Sequence, residues 1–591
     1  MASKSSAEYY GSFKEMSPIR AIAETLMNSH NVRKVDIREA YEMAKNQPGV
    51  TVTDLPMYPE FVKLHHLPSD AKVLDDCHGN IVGRTAAARR FYNRLTPSQK
   101  NKVEGDLREA VWQMQHYPLI KTEAVLGMDP DLMLKATFIT TETDVANLFF
   151  WLLNFAPFEQ LQAQYVKSPK LPIQDIIVVS FNEWTCDDPF YNNVGAPQLA
   201  LVDEKHNVIF NLGMRYFGER KKGTLTLAWT SGIRIGMAAC HGGIKELDFT
   251  TCEDPQYHHL GKRSIAFYGL SGTGKSSHTN SHDNAGTLPK GVSKVVLHDD
   301  AFQIDLENKV CRVWEPTLFD KTDSRPPDHP DWKYTLGVMN HMVAEIDDKH
   351  LPVGQDVRNP NGRALLDRDL LGKYVNRCAF PKALVWLMKD STLPPIVKFN
   401  DKHLAIAMGA ALMTQRNRAE NVPEEELQKL VFEPFANPFR VYELYRDVEA
   451  FLNVADTGAE FYCFNSRGYW KESDDILEPI PLKTSLTLQT AVLMDQLEWE
   501  PWSIIPGAAL PTRDSVEKIL PGYYDRYNPY NRLNLDKYYA LLKNRFQQRI
   551  DFLTNSDLKE KPELQKLILD AHKLWKNLEV YLLWKNPNCK S

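Results

Sequence analysis

The sequence predicts an α/β protein, and three observations carry this prediction. Short runs rich in Ile, Val and aromatic residues, such as "DIIVVSFNEW" and "KALVWLM", have the composition of buried strands and lie between helical patterns. A glycine-rich loop follows one such run in "SIAFYGLSGTGKSS". From about residue 530 the chain shows helical periodicity instead, in "LDKYYALLKNRFQQRIDFL" and "PELQKLILDAHKLW". We therefore expect an α/β body of two lobes, one built around the glycine-rich loop, and a C-terminal helical extension.

Composition narrows the class of protein. A chain of 591 residues with 43% hydrophobic and 25% charged residues can bury the cores of two or three domains. The net charge of −6 gives no bulk attraction to nucleic acid or to an anionic membrane. We find no apolar run long enough to span a bilayer, and "MASKSSAEYYGSFKEM" resembles no targeting peptide. Eight cysteines without a C-x-x-C pair suit reduced thiols. We therefore expect a cytoplasmic protein with small-molecule partners, and neither nucleic acid nor membrane.

The order of elements along the chain follows from local patterns. "PIRAIAETLMNSH" and "DIREAYEMAKN" predict N-terminal helices, and "VLDDCHGNIVGRTAAARR" predicts a strand followed by an arginine-rich helix start. Residues 198–245 predict a succession of strands, including "GTLTLAWTSGIRIGMAAC", and "EFYCFNS" predicts another. "PEEELQKLVF" predicts a helix. With "CEDPQYHHLGKRS" as a boundary, we expect an N-terminal lobe at 1–260, a lobe with the glycine-rich loop at 261–525 and the helical extension at 526–591.

The glycine-rich loop has the chemistry of a phosphate site. "GLSGTGKS" places Gly269, Gly274, Lys275 and Ser276 in the spacing G-x-x-x-x-G-K-[ST] directly after a predicted strand. Glycines let successive backbone N–H groups point into one concavity, and the following helix N-terminus adds positive potential. Lys275 would reach the β- and γ-phosphates and the Ser276 hydroxyl would bind Mg²⁺. The alternative is a glycine-rich turn with a solvated lysine.

Two adjacent acids, Asp299 and Asp300, end the predicted strand "VVLH" downstream of this loop. An aspartate at such a position commonly holds Mg²⁺ directly or through water. The alternative is that either carboxylate caps a helix. One acid explains one metal ion, and the second acid is left unexplained by the motif.

Several separate segments together resemble the ATP-dependent phosphoenolpyruvate carboxykinases. The loop "FYGLSGTGKSS" and the aspartate pair are similar to the family's phosphate and acidic motifs, and "YFGERKKG" is similar to its "YAGEMKKG" signature. His241 follows Lys222 by the separation that the family uses between two manganese ligands. "IVGRTAAARR", "WEPTLFDKTD" and "STLPPIVKF" resemble further family segments in the same order. The resemblance implies a two-lobed carboxykinase fold with a P-loop nucleotide domain.

The resemblance also implies roles for residues in this chain. Lys222, His241, Ser276 and Asp300 would bind metal, with Mn²⁺ and Mg²⁺ as the ions. A lysine binds a metal only through its neutral amine, so Lys222 would have to lose its proton. The implied catalytic residues are Lys222, His241, Lys275, Asp299, Asp300 and Arg363.

Substrate and nucleotide contacts are implied in the same way. The implied substrate-binding residues are Arg84, Tyr216, Lys222, Ser271 and Arg363. Arginine suits this role because its planar fork binds a carboxylate through two hydrogen bonds. The implied nucleotide-binding residues are Gly269, Leu270, Ser271, Gly272, Thr273, Gly274, Lys275, Ser276 and Ser277.

The activity implied is ATP-dependent decarboxylation and phosphorylation of oxaloacetate to phosphoenolpyruvate, CO₂ and ADP. Each residue also has an ordinary reading: a solvated lysine pair, a structural histidine, an arginine at a helix start. The chain departs from the family where Thr85, Ala86, Ala87, Ala88 and Arg89 replace its Ser-Pro-Lys-Asp-Lys. The alternative is therefore a divergent small-molecule or protein kinase on the same scaffold. The sequence predicts no oligomeric state.

Overall fold

The structure is a computed structural model of the chain. It describes residues 17–77, 85–192, 196–270, 272–281, 283–322, 325, 328–355, 361–372, 375–416, 424–427, 429–473, 476–532 and 534–572. Two predicted site residues, Arg84 and Ser271, lie outside the described residues.

The helices are distributed along the whole described chain. They are α1 (Pro18–Met27), α2 (Ile37–Ala44), α3 (Pro59–Leu64), α4 (Pro97–Met114), α5 (Val145–Asn154), α6 (Phe158–Lys167), α7 (Phe217–Arg234), α8 (Lys275–Asn280), α9 (Lys402–Ala410), α10 (Glu424–Leu427), α11 (Leu444–Ala455), α12 (Leu482–Leu493), α13 (Arg513–Ile519), α14 (Tyr523–Tyr527), α15 (Leu535–Asn555) and α16 (Pro562–Ala571).

The strands are mostly short. They are β1 (Val32–Lys34), β2 (Val50–Pro56), β3 (Lys72–Asp76), β4 (Arg89–Phe91), β5 (Leu119–Asp129), β6 (Leu132–Thr141), β7 (Ala156–Pro157), β8 (Ile176–Phe181), β9 (Leu199–Asp203), β10 (Val208–Leu212), β11 (Ala238–Asp248), β12 (Lys262–Tyr268), β13 (Ser293–His298), β14 (Ala301–Asp305), β15 (Val310–Val313), β16 (Thr317–Lys321), β17 (Thr335–Met339), β18 (His341–Ile346), β19 (Lys349–Gln355), β20 (Arg363–Asp367), β21 (Arg377–Ala379), β22 (Pro381–Met388), β23 (Ile396–Phe399), β24 (Met413–Gln415), β25 (Leu430–Phe432), β26 (Glu460–Asn465), β27 (Tyr469–Trp470), β28 (Leu477–Glu478), β29 (Trp499–Pro501) and β30 (Ala508–Pro511). The α/β class predicted from the sequence is confirmed.

The chain forms two compact units. The described part of unit one falls within Met1–Ile235 and Arg312–Asn376, and that of unit two within Gly236–Cys311, Arg377–Arg418 and Pro423–Ser591. This division by contacts does not test the predicted functional lobes, whose boundaries at residues 260 and 525 stay predictions.

Among the described residues, unit one contains two large sheets and the two-stranded sheet β18-β19. One has the strand order β1-β5-β6-β8-β10-β9-β4 with β7 on β5, and the other has the order β16-β20-β17-β3-β2. Helix α7 is buried on nearly every side. It lies close to strand β10, because a Cβ at Gly223 would stand 2.4 Å from Ile209 Cδ1. Glycine at this position therefore sets the distance between helix and sheet.

Unit two is built on one large sheet, in which β12, β22 and β26 run parallel and adjacent. Strand β11 lies antiparallel to β12 and pairs Gly242 with Tyr268, so β11 begins at the edge where β12 ends. On its other side β11 pairs with β14 through His241 and with β13 through Ile244. Loops at the carboxyl ends of parallel strands are the usual place for ligands in α/β proteins. This edge of the sheet is therefore where a site is expected.

Several elements predicted from the sequence are confirmed: the strands at 176–181, 262–268, 381–388 and 460–465, and the helices α1, α2, α15 and α16. The prediction of strands across residues 217–234 was wrong, because this segment is helix α7. The alternation in "TLTLAW" imitates a strand, and a helix buried all round has no polar face to reveal its period.

Two shorter predictions were also wrong. The predicted helix start after "IVGR" is a 3₁₀ turn, Thr85–Ala88, followed by β4 parallel to β9. The predicted helix in "PEEELQKLVF" is only α10, and Leu430–Phe432 forms a strand paired with Met413–Gln415. In both cases pairing with a distant strand overrides the local preference.

None of the helices in the described part of the chain combines the length and apolar character that a membrane crossing requires. No disulfide links the cysteines of the described residues.

Candidate functional site

The glycine-rich loop of unit two joins the end of β12 to helix α8. Gly272 and Gly274 have φ values of 82° and 89°, in the left-handed region that favours glycine. At Gly269 a Cβ would stand 2.2 Å from Thr273 Oγ1 and 2.9 Å from Leu387 Cβ, so no larger residue fits. The Thr273 hydroxyl donates to Leu270 O at 2.7 Å and closes the turn. The loop sequence is therefore dictated by its backbone.

Helix α8 sits directly on the strand that carries His241. A Cβ at Gly243 would stand 2.1 Å from Thr279 Oγ1, so the two elements touch without an intervening side chain. A Cβ at Gly242 would stand 2.7 Å from Phe267 O. The two glycines after His241 thus allow the helix and the strand β12 to approach β11.

Three charged groups converge at this edge of the sheet. Lys275 Nζ lies 3.2 Å from Asp300 Oδ1, and His241 Nε2 lies 3.2 Å from the same oxygen. The backbone explains the meeting, because Gly242 N–H donates to Asp300 O at 3.1 Å where β11 exchanges β13 for β14. The other predicted acid, Asp299, accepts from Asn280 Nδ2 at 3.4 Å at the end of α8. The structure thus brings together four of the predicted catalytic residues, all within unit two.

The other ring nitrogen of His241, Nδ1, is held by a hydrogen bond to the backbone. Nδ1 lies 2.5 Å from Ala436 O, and a carbonyl oxygen only accepts, so Nδ1 carries the proton and donates it. In the neutral ring Nε2 then bears a lone pair and faces a carboxylate oxygen. Such a pair is stable only with a proton or a cation close by.

The residues fit a divalent metal ion. Two ligand atoms bound at about 2.1 Å to one octahedral ion lie about 3 Å apart, which matches the 3.2 Å between His241 Nε2 and Asp300 Oδ1. Carboxylate suits Mn²⁺, and imidazole is a common ligand of first-row divalent metals. No group of three or more His, Cys, Asp and Glu side chains that could hold a metal forms within the described residues. A metal here would thus need ligands of other types.

A buried polar network that was not predicted from the sequence contacts helix α8 through His278. His278 Nδ1 lies 2.9 Å from Gln489 Oε1, and Lys245 Nζ donates to Asn284 Oδ1 at 2.7 Å. Burial, with a smaller contribution from Lys294, holds the pKa of Lys245 well below its ordinary value. Burial lowers the pKa of His278 to about 4. These groups anchor the helix that follows the glycine-rich loop.

In unit one, the segment "YFGERKKG" forms the start of α7. Tyr216 precedes the helix, and its ring lies over Gly218, where a Cβ would stand 2.4 Å from the ring. Glu219 is bound by Arg89 through Nε at 2.6 Å and Nη2 at 3.1 Å. Lys221 Nζ lies 2.9 Å from Glu315, and both side chains are fully buried.

The remaining charges of this segment differ in burial. Arg220 is fully buried and donates to Ser180 Oγ at 2.7 Å. Lys222 alone among residues 219–222 is half-exposed, with Nζ 5.9 Å from the centre of the Trp229 ring. Lys222, the predicted metal ligand, is therefore the more exposed lysine of the pair Lys221 and Lys222.

Arg363, the predicted second substrate arginine, starts β20 in unit one. Its Nε donates to Asn361 Oδ1 at 2.9 Å, and its guanidinium lies 5.4 Å from the centre of the Phe319 ring. Lys221 Nζ lies 5.4 Å from the same ring. Phe319 thus links the second arginine to the start of α7.

These features define a class: an α/β protein with a glycine-rich loop and a convergent Lys, His and Asp cluster at the carboxyl edge of parallel strands. A family model described as phosphoenolpyruvate carboxykinase matches residues 90–304. The matched segment runs from β4 to β14 and contains Tyr216, Lys222, His241, the glycine-rich loop and the aspartate pair.

Relatives from two strains of Staphylococcus aureus, bovine RF122 / ET3-1 and Newman, carry the name phosphoenolpyruvate carboxykinase (ATP). Each is 26% identical over 288 residues, covering 46% of this chain and 47% of the relative. The chain thus spans about half the length of the curated relatives it matches. Both comparisons show similarity to phosphoenolpyruvate carboxykinases over part of the chain.

Proposed function

We propose that the protein is a carboxykinase that converts oxaloacetate and ATP to phosphoenolpyruvate, CO₂ and ADP. The observation that supports this most is the convergence of His241 Nε2 and Lys275 Nζ on one oxygen of Asp300, beside the glycine-rich loop. A lysine and a metal-binding pair beside such a loop suit phosphoryl transfer. The match over residues 90–304 supports the carboxykinase class of reaction.

In this proposal His241 and Asp300 hold Mn²⁺, and Ser276 and Asp299 serve Mg²⁺. Divalent ions at these positions supply Lewis-acid polarisation of the oxygens that develop charge. Lys275 neutralises charge on the transferred phosphoryl group. The backbone N–H groups of the loop residues 269–277 receive the phosphates of ATP.

The organic substrate is assigned to unit one. Oxaloacetate carries two carboxylates, and Arg84 and Arg363 bind them because guanidinium pairs with carboxylate through two hydrogen bonds. Tyr216, also in unit one, is a further substrate contact in this proposal. Loss of CO₂ leaves an enolate whose oxygen takes the γ-phosphoryl group in line, so the site has to exclude water, which would otherwise protonate the enolate.

The test is a direct assay. The purified protein is incubated with oxaloacetate, Mn²⁺, Mg²⁺ and ATP, and phosphoenolpyruvate is measured, with GTP and pyrophosphate as alternative donors. Lys275→Gln is expected to lower turnover by about a hundredfold or more. Lys290→Gln, an exposed lysine of the same unit, is the matched control and is expected to change nothing. No product with any of the three donors would contradict the proposal.

One observation favours a second candidate, a kinase acting on another small molecule or a protein hydroxyl. Ala87 stands in place of the first lysine of the family's substrate motif, and Arg89, in place of the second, binds Glu219 through Nε and Nη2. The substrate side of the site thus has fewer cations available than the resemblance implies. ATP hydrolysis stimulated by a hydroxyl compound, without phosphoenolpyruvate formation, would support this candidate.

A further inference from the structure

A short turn in unit two, Pro434–Ala436, has a backbone that the sequence does not explain. Phe435 has φ 50° and ψ 26°, and Ala436 has φ 54°, so two consecutive residues with side chains adopt the left-handed conformation. This conformation is disfavoured because Cβ crowds the following carbonyl. Such residues persist only where the surroundings force them, and they cluster at functional sites.

The surroundings of Phe435 show what holds the turn. Its ring is stacked on Phe451 with centroids 4.6 Å apart and an angle of 10° between the planes. Trp386 meets Phe435 at 5.7 Å and is fixed by a hydrogen bond from its Nε1 to Ala405 O at 2.9 Å. At Gly409 a Cβ would stand 2.8 Å from Trp386 and 3.0 Å from Phe435. The aromatic cluster therefore leaves the Phe435 ring one position.

This turn fixes the orientation of one carbonyl group, that of Ala436. Ala436 O accepts the hydrogen bond from His241 Nδ1 at 2.5 Å. Asn437 N–H donates to Pro434 O at 3.0 Å, and Asn437 Oδ1 accepts from Phe439 N–H at 3.1 Å, so the turn is closed on both sides of Ala436. The Phe439 ring meets the His241 ring edge-on at 5.5 Å.

We propose that Phe435 is a positioning residue for His241. By holding the left-handed turn, Phe435 aims Ala436 O at Nδ1, keeps the ring proton on that nitrogen and leaves the Nε2 lone pair directed at the space beside Asp300. The consequence for metal binding rests on the proposed function. The tautomer and its dependence on Phe435 do not.

This assignment follows from general ligand chemistry. A histidine that binds a metal through one nitrogen donates the other N–H to an oxygen acceptor, which fixes the tautomer and the orientation of the ring. Here the acceptor lies on a backbone in a disfavoured conformation, which indicates that its position matters more than its conformational cost.

The test uses the full chain labelled with ¹⁵N-histidine. Two-bond ¹H–¹⁵N NMR at mildly alkaline pH reports which ring nitrogen carries the proton, and His241→Asn identifies the His241 signal. We expect Nδ1–H in the wild-type protein and a mixture with Nε2–H in Phe435→Leu. Mn²⁺ titration followed by electron paramagnetic resonance is expected to show affinity weakened roughly 10–100-fold in Phe435→Leu.

Two further variants separate positioning from simple loss of packing. Phe546→Leu removes an equally buried ring of helix α15 and is expected to leave both readouts unchanged. Ala436→Gly keeps the carbonyl and tolerates the left-handed φ, so it is expected to retain the wild-type tautomer. If Phe435→Leu does not fold, Phe451→Leu removes the same stack from the other side.

A wild-type ring protonated at Nε2 and not at Nδ1, or a wild-type tautomer retained in the variant without the stack, would overturn the proposal. Absence of Mn²⁺ binding by the wild-type protein together with the expected tautomers would instead contradict the proposed metal site and leave the positioning role standing. The two failures are therefore distinguishable.

Discussion

The start of α7 in unit one and the sheet edge in unit two both concentrate charge, and they use it differently. In α7, Glu219 has Arg89 and Lys221 has Glu315, each acid with its own cation and the second pair fully out of solvent. At the sheet edge, His241 and Lys275 share one oxygen of Asp300, which is 17% exposed.

The difference separates structural charges from candidate ligands. In a buried ion pair each charge compensates the other, and removing one partner leaves an uncompensated charge in the core. At the sheet edge an imidazole nitrogen and a carboxylate oxygen, both metal-ligand types, lie 3.2 Å apart, and the carboxylate is partly exposed. We therefore expect substitutions at the sheet edge to change activity, and substitutions in the α7 pairs to change stability.

The largest expected effect is on turnover. Asp300→Asn removes the charge that His241 and Lys275 share, and should lower metal-dependent turnover about a hundredfold to a thousandfold. Its free energy of unfolding should change by at most about 1 kcal/mol. Steady-state kinetics and urea denaturation of the same preparation measure the two quantities. Unchanged turnover would remove Asp300 from the site.

The buried pair of α7 should behave in the opposite way. Lys221→Ala leaves Glu315 charged in the core and is expected to lower the free energy of unfolding by about 3–5 kcal/mol. The double variant Lys221→Met with Glu315→Leu removes both charges and should recover most of this loss. Urea denaturation checks both. A cost under about 1 kcal/mol for Lys221→Ala would show that the pair is not structural.

The contact between α8 and β11 offers a smaller test. Gly243→Ala places a methyl group against Thr279 and is expected to cost about 1–3 kcal/mol by overpacking. It should also weaken ATP binding, because α8 carries Lys275. Gly105→Ala is the control, since a Cβ at Gly105 meets nothing within 4 Å. Equal ATP affinity in both variants, measured by calorimetry, would contradict this coupling.

The last prediction is a pH dependence of stability carried by His572. Burial, followed by the charge of Arg549, lowers the pKa of His572 to about 3 from an ordinary value near 6.5. Between pH 6.5 and pH 3 the unfolded chain therefore binds a proton at His572 that the folded chain does not bind. The corresponding part of the free energy of unfolding is present above pH 6.5 and is lost as the pH falls toward 3. The loss is at most roughly 1.4 kcal/mol per pH unit.

His572→Gln should flatten this part of the stability curve, and urea denaturation between pH 7 and pH 4 measures the slope. Wild-type and variant curves that run parallel would show that His572 takes up no extra proton on unfolding.

The sequence predicted most of the sheet edge because its chemistry is local. The glycines of the loop, Lys275 and the aspartate pair are close in sequence, and each residue type is required by the backbone or by the charge. His241 was found through its spacing from Lys222 in the family resemblance, and the structure placed it against Asp300.

The parts that sequence reasoning missed depend on distant contacts. The stretch "FEPFANPF" contains no pattern that predicts a hydrogen bond between Ala436 O and His241, which lies 195 residues earlier. Helix α7 was predicted as strands because a helix surrounded by core shows no amphipathic period. The buried Lys245 looks like any lysine in "GGIKELD". The predicted metal-binding role of His241 implies that its other ring nitrogen donates to an oxygen acceptor. A search for that acceptor was therefore possible from the sequence.

We expect His241 and Asp300 to bind one divalent ion together. Crystals of the protein grown with Mn²⁺ and ATP, measured at a wavelength where manganese scatters anomalously, test it directly. The account predicts an anomalous peak within about 2.4 Å of both His241 Nε2 and a carboxylate oxygen of Asp300. A manganese peak elsewhere, with these two side chains still 3.2 Å apart and no ion between them, would contradict it.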